Sequence, residues 1–208
     1  MKYSIVQGGE SRSFPPGDAF LDGASEAGEV MIYLGVEPVA DPARIAILVE
    51  LDTECLGVHT GEDAGREGSN MLGFARYRNG DGPPSKLVEL VRQPRTPDSA
   101  IEAARSVFED AGLDVVVCAD HAGRIIDRLV RPKYNAALRF LDEGLASAED
   151  MDLTCRLGLG YPDGPIERVV GGGLARHYDI SRALFEVHGG AGYAPARRSL
   201  VARQRQRE

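Results

Sequence analysis

Residues 121–131 read His121-Ala-Gly-Arg-Ile-Ile-Asp-Arg-Leu-Val-Arg131, and the chain changes character within this stretch. The four apolar side chains at positions 125, 126, 129 and 130 form one stripe, which predicts an amphipathic helix. Upstream, short apolar runs end in Gly, Pro and Asp, as strands do. Downstream, no further strand signal is found. We therefore predict an α/β half over residues 1–118 and an all-helical half over residues 119–208.

The α/β half contains six short apolar runs and one well-marked helix. Thr96 is the predicted N-cap of this helix, Pro97 its first residue and Gly112 its end. Residues 10–28 are rich in Gly, Ser and Pro, and are predicted as loop with at most one helical turn. Strands that alternate with helix favour an open α/β sheet. The predicted strands lie within Lys2–Val6, Glu29–Gly35, Pro42–Leu51, Met71–Tyr77, Lys86–Arg92 and Asp114–Cys118.

The second half is predicted as a series of helices. The first runs from about Arg124 to Glu143, and Ser147 caps a second that extends to about Gly158. Pro165 opens a third helix, and Leu174–His188 is a fourth. Residues 197–208 are rich in arginine, and the last of them are predicted to be frayed or solvated.

Composition excludes several classes of function. The 208 residues are 43% apolar and carry a net charge of −8, which argues against general binding of nucleic acids or anionic membranes. Cys55, Cys118 and Cys155 have no paired spacing, so we expect reduced thiols in a cytoplasmic protein. The start of the chain lacks the apolar core of a signal peptide, and no apolar run is long enough to span a bilayer.

Several motifs of the second half now resemble a known family. Asp120-x-x-Gly123 precedes a helix with Asp127-Arg-Leu129, and Leu157-Gly-Leu-Gly-Tyr-Pro-Asp-Gly-Pro165 follows the second helix. This order is similar to the C-terminal helical domain of the L-3-hydroxyacyl-CoA dehydrogenases. The resemblance extends more weakly toward residue 29 through Lys86-Leu-Val-Glu89, which looks like the family strand that bears a catalytic glutamate.

The resemblance implies a Rossmann-type NAD-binding domain, a helical domain that forms homodimers, and an acyl-CoA substrate. In this family a histidine, paired with the glutamate, takes the hydroxyl proton while hydride passes to the nicotinamide. A serine and an asparagine help to hold the substrate oxygen. The cofactor accepts the hydride, and the protein supplies the base and the orienting groups.

The dinucleotide fingerprint of this family is incomplete here. A strand, G-x-G-x-x-G and a helix are needed, whereas Gln7-Gly-Gly-Glu-Ser-Arg-Ser-Phe-Pro-Pro16 contains only Gly8 and Gly9, and its prolines obstruct the helix. The chain then passes almost directly to the counterpart of the family's fourth strand. Gly8 and Gly9 are nevertheless the candidate NAD-binding residues, in a sheet domain that is a reduced version of the Rossmann fold.

The catalytic set also departs from the family pattern. The family histidine aligns with Ala75, or with Tyr77 if counted back from Glu89 without a gap. The family serine falls near Glu54, and the asparagine maps onto Asp127. Glu89 is kept. The candidate catalytic residues are therefore Glu89, Asp127 and Glu54, with His121 as a replacement base.

Three hypotheses follow. The first is a 3-hydroxyacyl-CoA dehydrogenase-like oxidoreductase with impaired or altered NAD-dependent activity. The second is a non-catalytic homodimer that binds an acyl-CoA-type ligand or a partner protein. The third is new chemistry by Glu54, Glu89 and Asp127, whose oxygens could together hold Mg²⁺ or Ca²⁺. For Asp127 itself, an ion pair with Arg131 is the structural alternative, and His59, His177 and His188 show no pairing in the sequence.

Overall fold

A computed structural model describes residues 1–206 of the chain. Two compact units are found. The first comprises Met1–Arg78 and Pro83–Arg124, and the second comprises Asn79–Gly82 and the chain from Ile125 onward. The domain boundary predicted between residues 118 and 119 stays a prediction, and the two units divide after Arg124.

The first unit is built on a six-stranded sheet whose strands lie in sequence order. Neighbouring strands are parallel except β4 and β5, which are antiparallel. All six predicted strands are confirmed, because each is a short apolar run between turn residues. They are β1 (Tyr3–Gln7), β2 (Val30–Leu34), β3 (Ala46–Glu50), β4 (Met71–Arg76), β5 (Leu87–Arg92) and β6 (Asp114–Ala119).

One face of the sheet packs against a long helix and an aromatic cluster. Helix α3 (Asp98–Asp110) buries its alanine stripe together with Val107 and Phe108 against this face. The four-residue helix α1 (Ala19–Asp22) lies in the connection from β1 to β2 and contributes Phe20. Phe14 stacks on Phe20 with ring centroids 4.0 Å apart. The predicted loop over residues 10–28, with one helical turn, is therefore confirmed.

The opposite face is covered by a smaller apolar cluster. Leu56, which precedes the four-residue helix α2 (Gly57–Thr60), packs there with Ile47, Val49 and Val91. The prediction of Thr96 as the N-cap of α3 is wrong. Pro97 is the N-cap, and the Thr96 hydroxyl accepts a hydrogen bond from the Gln93 amide instead.

The second unit is helical. Tyr134, Leu138, Ile166 and Val169 form the centre of its core. Ser147 accepts a hydrogen bond from the Asp150 amide and caps α5, as predicted. Residues 197–205 form a helix that packs on α7. The prediction of frayed or solvated last residues falls partly on residues 207–208, which lie outside the described residues. The helices are α4 (Ile126–Asp142), α5 (Ala148–Leu159), α6 (Pro165–Gly171), α7 (Leu174–His188) and α8 (Arg197–Arg205).

A search of the helices for a membrane span was negative. Within residues 1–206, no helix is both long enough and apolar enough to cross a bilayer.

Candidate functional site

The centre of the candidate site is a cross-strand pair. Ala75 on β4 lies directly opposite Glu89 on β5. Directly opposite residues of an antiparallel pair project from the same face of a sheet, with Cβ atoms about 4.5–5.5 Å apart. Both residues are buried. The side chain that faces Glu89 across the strands is therefore a methyl group.

Glu89 is ion-paired with Arg124. The Arg124 Nε atom lies 3.6 Å from Glu89 Oε2, and each side chain is 4% exposed. Arg124 Nη2 donates to the Asp52 carbonyl. Nε and Nη1 of Arg124 are buried and have no hydrogen-bond partner among the described residues. Because a guanidinium stays protonated, this site holds a fixed positive charge next to Glu89.

A left-handed turn places Arg124. Gly123 has φ 72° and Arg124 has φ 47°, a region that glycine adopts freely and arginine rarely does. The Gly123 amide donates to the Thr53 carbonyl at 2.9 Å, and the Arg124 amide donates to the His121 carbonyl at 3.1 Å. The turn is thus tied to the loop after β3.

The thiol next to this pair is not activated. Burial raises the pKa of Cys118 to about 11, and the charge of Glu89 adds to the effect while Arg124 opposes it. A thiol with such a pKa stays protonated at neutral pH and is a poor nucleophile.

His121, the proposed replacement base, is exposed at the surface of the turn. Its carbonyl accepts the Arg124 amide. No hydrogen bond or ion pair within residues 1–206 joins its imidazole to Glu89. Within the described residues, the imidazole of His121 therefore does not interact with Glu89.

Glu54 lies beside a histidine that the sequence did not connect with it. His59 Nε2 is 3.7 Å from Glu54 Oε1, and His59 Nδ1 is 2.9 Å from Glu37 Oε2. Glu54 Oε1 also accepts the Asp52 amide at 3.0 Å. The prediction that His59 lacks a partner is wrong, because the loops after β2 and β3 and helix α2 meet here. The spacing of these residues in the chain carries no signal of the contact.

Asp120 is a structural residue that sequence analysis recognised only as part of a motif. Its carboxylate accepts the amides of Leu56 at 2.6 Å and Gly57 at 2.9 Å, and the Gln93 side chain at 3.1 Å. These bonds satisfy the first N–H groups of α2, which have no partner within so short a helix. Asp120 therefore fixes the segment that carries Cys55 and His59.

Asp127 forms the ion pair with Arg131 that was its structural alternative, at 2.7 Å. Arg131 Nη1 lies 3.3 Å from His177 Nδ1, and His177 Nε2 lies 2.9 Å from Asn135 Oδ1. The expectation that His177 is unpaired is wrong. Burial, and then the charge of Arg131, lower the pKa of His177 to about 3. The imidazole is thus neutral within a buried polar network of the helical unit.

Gly8 and Gly9 lie against the end of β2. The Gly8 amide donates to the Leu34 carbonyl at 3.0 Å. A Cβ at Gly35 would come within 3.0 Å of the Gly9 Cα, and a Cβ at Gly8 within 2.7 Å of the Val36 Cβ. The glycines therefore allow a close approach of two backbone segments. The next helix, α1, begins only at Ala19 and has four residues, so no helix N-terminus follows them.

The hypothesis of a cation site shared by the three candidate carboxylates is wrong for the described residues. Each acid lies against a different basic residue, and no group of three His, Cys, Asp or Glu side chains within residues 1–206 could hold a metal ion. The pairs are Glu54 with His59, Glu89 with Arg124, and Asp127 with Arg131.

Comparison with known proteins identifies the helical unit. The family model of the 3-hydroxyacyl-CoA dehydrogenase C-terminal domain matches residues 123–207. Residues 123–207 therefore carry the C-terminal domain of the 3-hydroxyacyl-CoA dehydrogenases. The resemblance found from the motifs around Asp127 and Tyr161 is confirmed.

Relatives in this family match part of this chain. A probable 3-hydroxyacyl-CoA dehydrogenase of Caenorhabditis elegans is 40% identical over 85 residues, 41% of this chain and 28% of that protein. The mitochondrial hydroxyacyl-coenzyme A dehydrogenase of Homo sapiens is 39% identical over 41% of this chain and 27% of its own length. A 3-hydroxybutyryl-CoA dehydrogenase of Bradyrhizobium diazoefficiens is 33% identical over 54% of this chain and 39% of its own. The matches thus span less than half of each relative.

Solved structures of the family extend the likeness to the sheet unit at the level of fold. FadB2 of M. tuberculosis superposes with a TM-score of 0.72 at 23% identity, over 86% of this chain and 67% of that one. The (S)-3-hydroxybutyryl-CoA dehydrogenase PaaH1 of Ralstonia eutropha gives 0.70 at 20% identity, over 85% and 65%. The predicted architecture, a reduced Rossmann-like sheet followed by a helical domain of this family's C-terminal type, is confirmed.

Proposed function

We propose that this member of the 3-hydroxyacyl-CoA dehydrogenase family does not carry out NAD-dependent oxidation at the inherited site, and acts as a homodimer that binds an acyl-CoA-type ligand. The observation that carries the proposal is the cross-strand pair of Ala75 and Glu89. Of the two alignments for the family histidine, the strand register favours Ala75, because Tyr77 follows the last residue of β4.

The chemistry of the site supports the proposed loss of NAD-dependent oxidation. Oxidation of an alcohol needs a group that accepts the hydroxyl proton while the cofactor accepts the hydride. The methyl group of Ala75 accepts no proton. Arg124 does not provide a proton acceptor either, because a guanidinium group stays protonated. Glu89, the remaining member of the dyad, is buried and occupied by its ion pair.

Asp127 does not replace the missing base. Asp127 is held by Arg131 at 2.7 Å, and a carboxylate would repel a developing alkoxide where an amide stabilises it. Glu54 lies beside His59. This pair is the second candidate base system, and the activity assay below tests it together with Glu89.

Dimer formation through the helical unit is supported by exposed apolar side chains. Leu153 and Leu157 lie one turn apart on α5, and are 47% and 80% exposed. Large apolar side chains grouped on one face are typical of protein interfaces. We expect Leu157→Glu to convert a dimer into a monomer in light scattering after gel filtration. Val39→Glu changes a residue of the sheet unit that is 65% exposed; it is the matched control and should leave the mass unchanged.

The proposed location is the cytoplasm. Cys55, Cys118 and Cys155 are all free thiols, which suits a reducing compartment. Cell fractionation tests this part of the proposal.

The functional proposal is tested by two measurements on the full chain. Incubation with NAD⁺ and 3-hydroxybutyryl-CoA should give no NADH above the enzyme-free control. Titration with acetoacetyl-CoA should give saturable heat in calorimetry. Enzyme-dependent NADH that disappears in Glu89→Gln or His59→Gln would contradict the loss of activity. Absence of heat with acetoacetyl-CoA would contradict ligand binding.

A further inference from the structure

The segment Gly8–Phe14, here called the crossing segment, runs along the carboxyl ends of the parallel strands. Gly8 and Gly9 contact the end of β2 at Leu34 and Gly35. Its later residues then contact the end of β3 and the end of β4, in that order. In open α/β sheets, dinucleotides bind outside the carboxyl ends of the strands. The crossing segment therefore occupies the edge at which such a ligand would lie.

Glu50, the last residue of β3, fixes the middle of the crossing segment. Its Oε1 atom accepts the Ser11 hydroxyl at 2.9 Å and the Ser13 amide at 2.7 Å. The Ser11 hydroxyl in turn accepts the Phe14 amide at 2.9 Å. All three residues of the segment are buried. Hydrogen bonds to an ionised acceptor are stronger than those between neutral groups.

Arg76, the last residue of β4, fixes the far end. Its amide donates to Ser13 Oγ at 3.1 Å, and its Nη1 donates to the Ser13 carbonyl at 2.8 Å. The same Nη1 is 2.9 Å from Asp18 Oδ2. The guanidinium lies 4.9 Å from the ring centroid of Phe14. The segment is thus anchored by charge at β3 and β4, and by packing beyond them.

Two backbone N–H groups of the crossing segment that could face a pyrophosphate are already hydrogen-bonded within the protein. Rossmann-type sites offer free backbone N–H groups from a glycine turn and a helix N-terminus. Here the Gly8 amide is bonded to Leu34, and the Ser13 amide to Glu50. The carboxylate of Glu50 adds negative charge at the same edge. A dinucleotide also binds where the strand order of the sheet reverses, and this sheet runs from β1 to β6 without reversal.

We propose that the crossing segment is a built-in occupant of the nucleotide edge and excludes NAD⁺ and NADH from the sheet unit. The residues present do not fit the cofactor, and the chain fills the space with its own backbone. This inference stands apart from the proposed loss of the catalytic base, because a protein without the base could still bind NADH, and a protein with an occupied edge could still bind an acyl-CoA.

The first test is a calorimetric titration of the full chain with NAD⁺, NADH and ADP-ribose, followed by amide hydrogen exchange of the free protein. We expect no saturable binding of any of the three, and slow exchange of the Ser13 and Phe14 amides. Saturable binding of NADH would overturn the proposal. Exchange of these two amides at the rate of an open loop would overturn it as well.

A pair of variants sharpens the test. Glu50→Ala removes the acceptor of Ser11 and Ser13, and should speed exchange of the Ser13 and Phe14 amides by about tenfold or more. Glu10→Ala changes an exposed acid of the same segment, and should leave the exchange unchanged. Circular dichroism checks that both variants fold. Exchange in Glu50→Ala that equals the wild-type rate would show that the anchor is absent and would contradict the proposal.

Discussion

The two units of this chain resemble the 3-hydroxyacyl-CoA dehydrogenases to different degrees. Residues 123–207, which include nearly all of the helical unit, match the family model of the C-terminal domain, whereas the sheet unit is similar to solved structures in fold alone, at overall identities of 20–23%. Helix packing depends on many apolar contacts at once. A catalytic edge depends on a few polar groups, and these are free to change once their chemistry is no longer used.

The sheet unit also shows how such polar groups are accommodated. A buried charge without a partner is costly, so it is paired, hydrogen-bonded or replaced. Glu89 is paired with Arg124, Glu50 with the hydroxyl and amide of the crossing segment, and Glu54 lies beside His59. In the helical unit, by contrast, Asp127, Arg131 and His177 form one connected network. The predictions below test this difference.

The largest expected effect is the loss of an aromatic anchor of the crossing segment. Phe14 is fully buried and stacks on Phe20. Phe14→Ala should lower the free energy of unfolding by about 4 kcal/mol, through lost burial and the cavity left behind. Urea unfolding followed by circular dichroism measures the change. Val39→Ala, at an exposed position, is the control, and equal stability losses in the two variants would contradict the packing of the segment.

The next effect tests the pairing of Glu89. Arg124→Met leaves the buried carboxylate without its cation, and should cost about 3 kcal/mol of unfolding free energy. The double change Arg124→Met with Glu89→Leu should recover most of this loss, because both charges are then gone. Arg182→Met breaks an exposed pair with Glu186 and should leave the free energy of unfolding nearly unchanged, because solvent screens the pair.

Chemical denaturation of the wild type, Arg124→Met, the double variant and Arg182→Met measures these free energies of unfolding. A double variant no more stable than Arg124→Met alone would show that Glu89 and Arg124 are not coupled.

The third effect is a pH dependence in the helical unit, which is measured as a slope and not as a single loss. The pKa of His177 is lowered from 6.5 to about 3 in the folded chain. As the pH falls, His177 therefore binds a proton in the unfolded chain before it does so in the folded chain. The stability that His177 contributes is therefore present above pH 6.5 and is lost as the pH falls toward 3, by about 1.4 kcal/mol per pH unit.

His177→Gln should reduce the slope of unfolding free energy against pH between 6 and 4 by about one proton. His121→Gln removes an exposed histidine and should leave the slope unchanged. Equal slopes in wild type and His177→Gln would contradict the neutral, buried state of the imidazole.

The fold was largely predictable from the sequence, and the site was not. Six apolar runs gave six strands because a buried parallel strand needs a continuous apolar stretch. The ion pair of Asp127 and Arg131 could be predicted from the sequence, because positions four apart on a helix are neighbours. The contacts of Glu89 could not be predicted. The turn residues Asn79–Pro84 do not fix the register in which β5 pairs with β4, and Arg124 reaches Glu89 only through the tertiary structure.

The crossing segment shows the same limit. Its Gly and Ser content predicts a loop, but composition does not say which surface a loop covers. The bonds from Ser11 and Ser13 to Glu50 join residues almost forty positions apart. Only the folded sheet brings these groups together, so the contact of the crossing segment with the sheet edge could not be predicted from the spacing of residues in the sequence.

The central claim is that the inherited site no longer passes hydride between a nicotinamide and an acyl-CoA. The most direct test is the reductive direction, in which purified chain at high concentration is mixed with NADH and acetoacetyl-CoA while the nicotinamide absorbance is followed. We predict the same slow decay with and without the protein. Protein-dependent oxidation of NADH that is abolished in Glu89→Gln would contradict the claim.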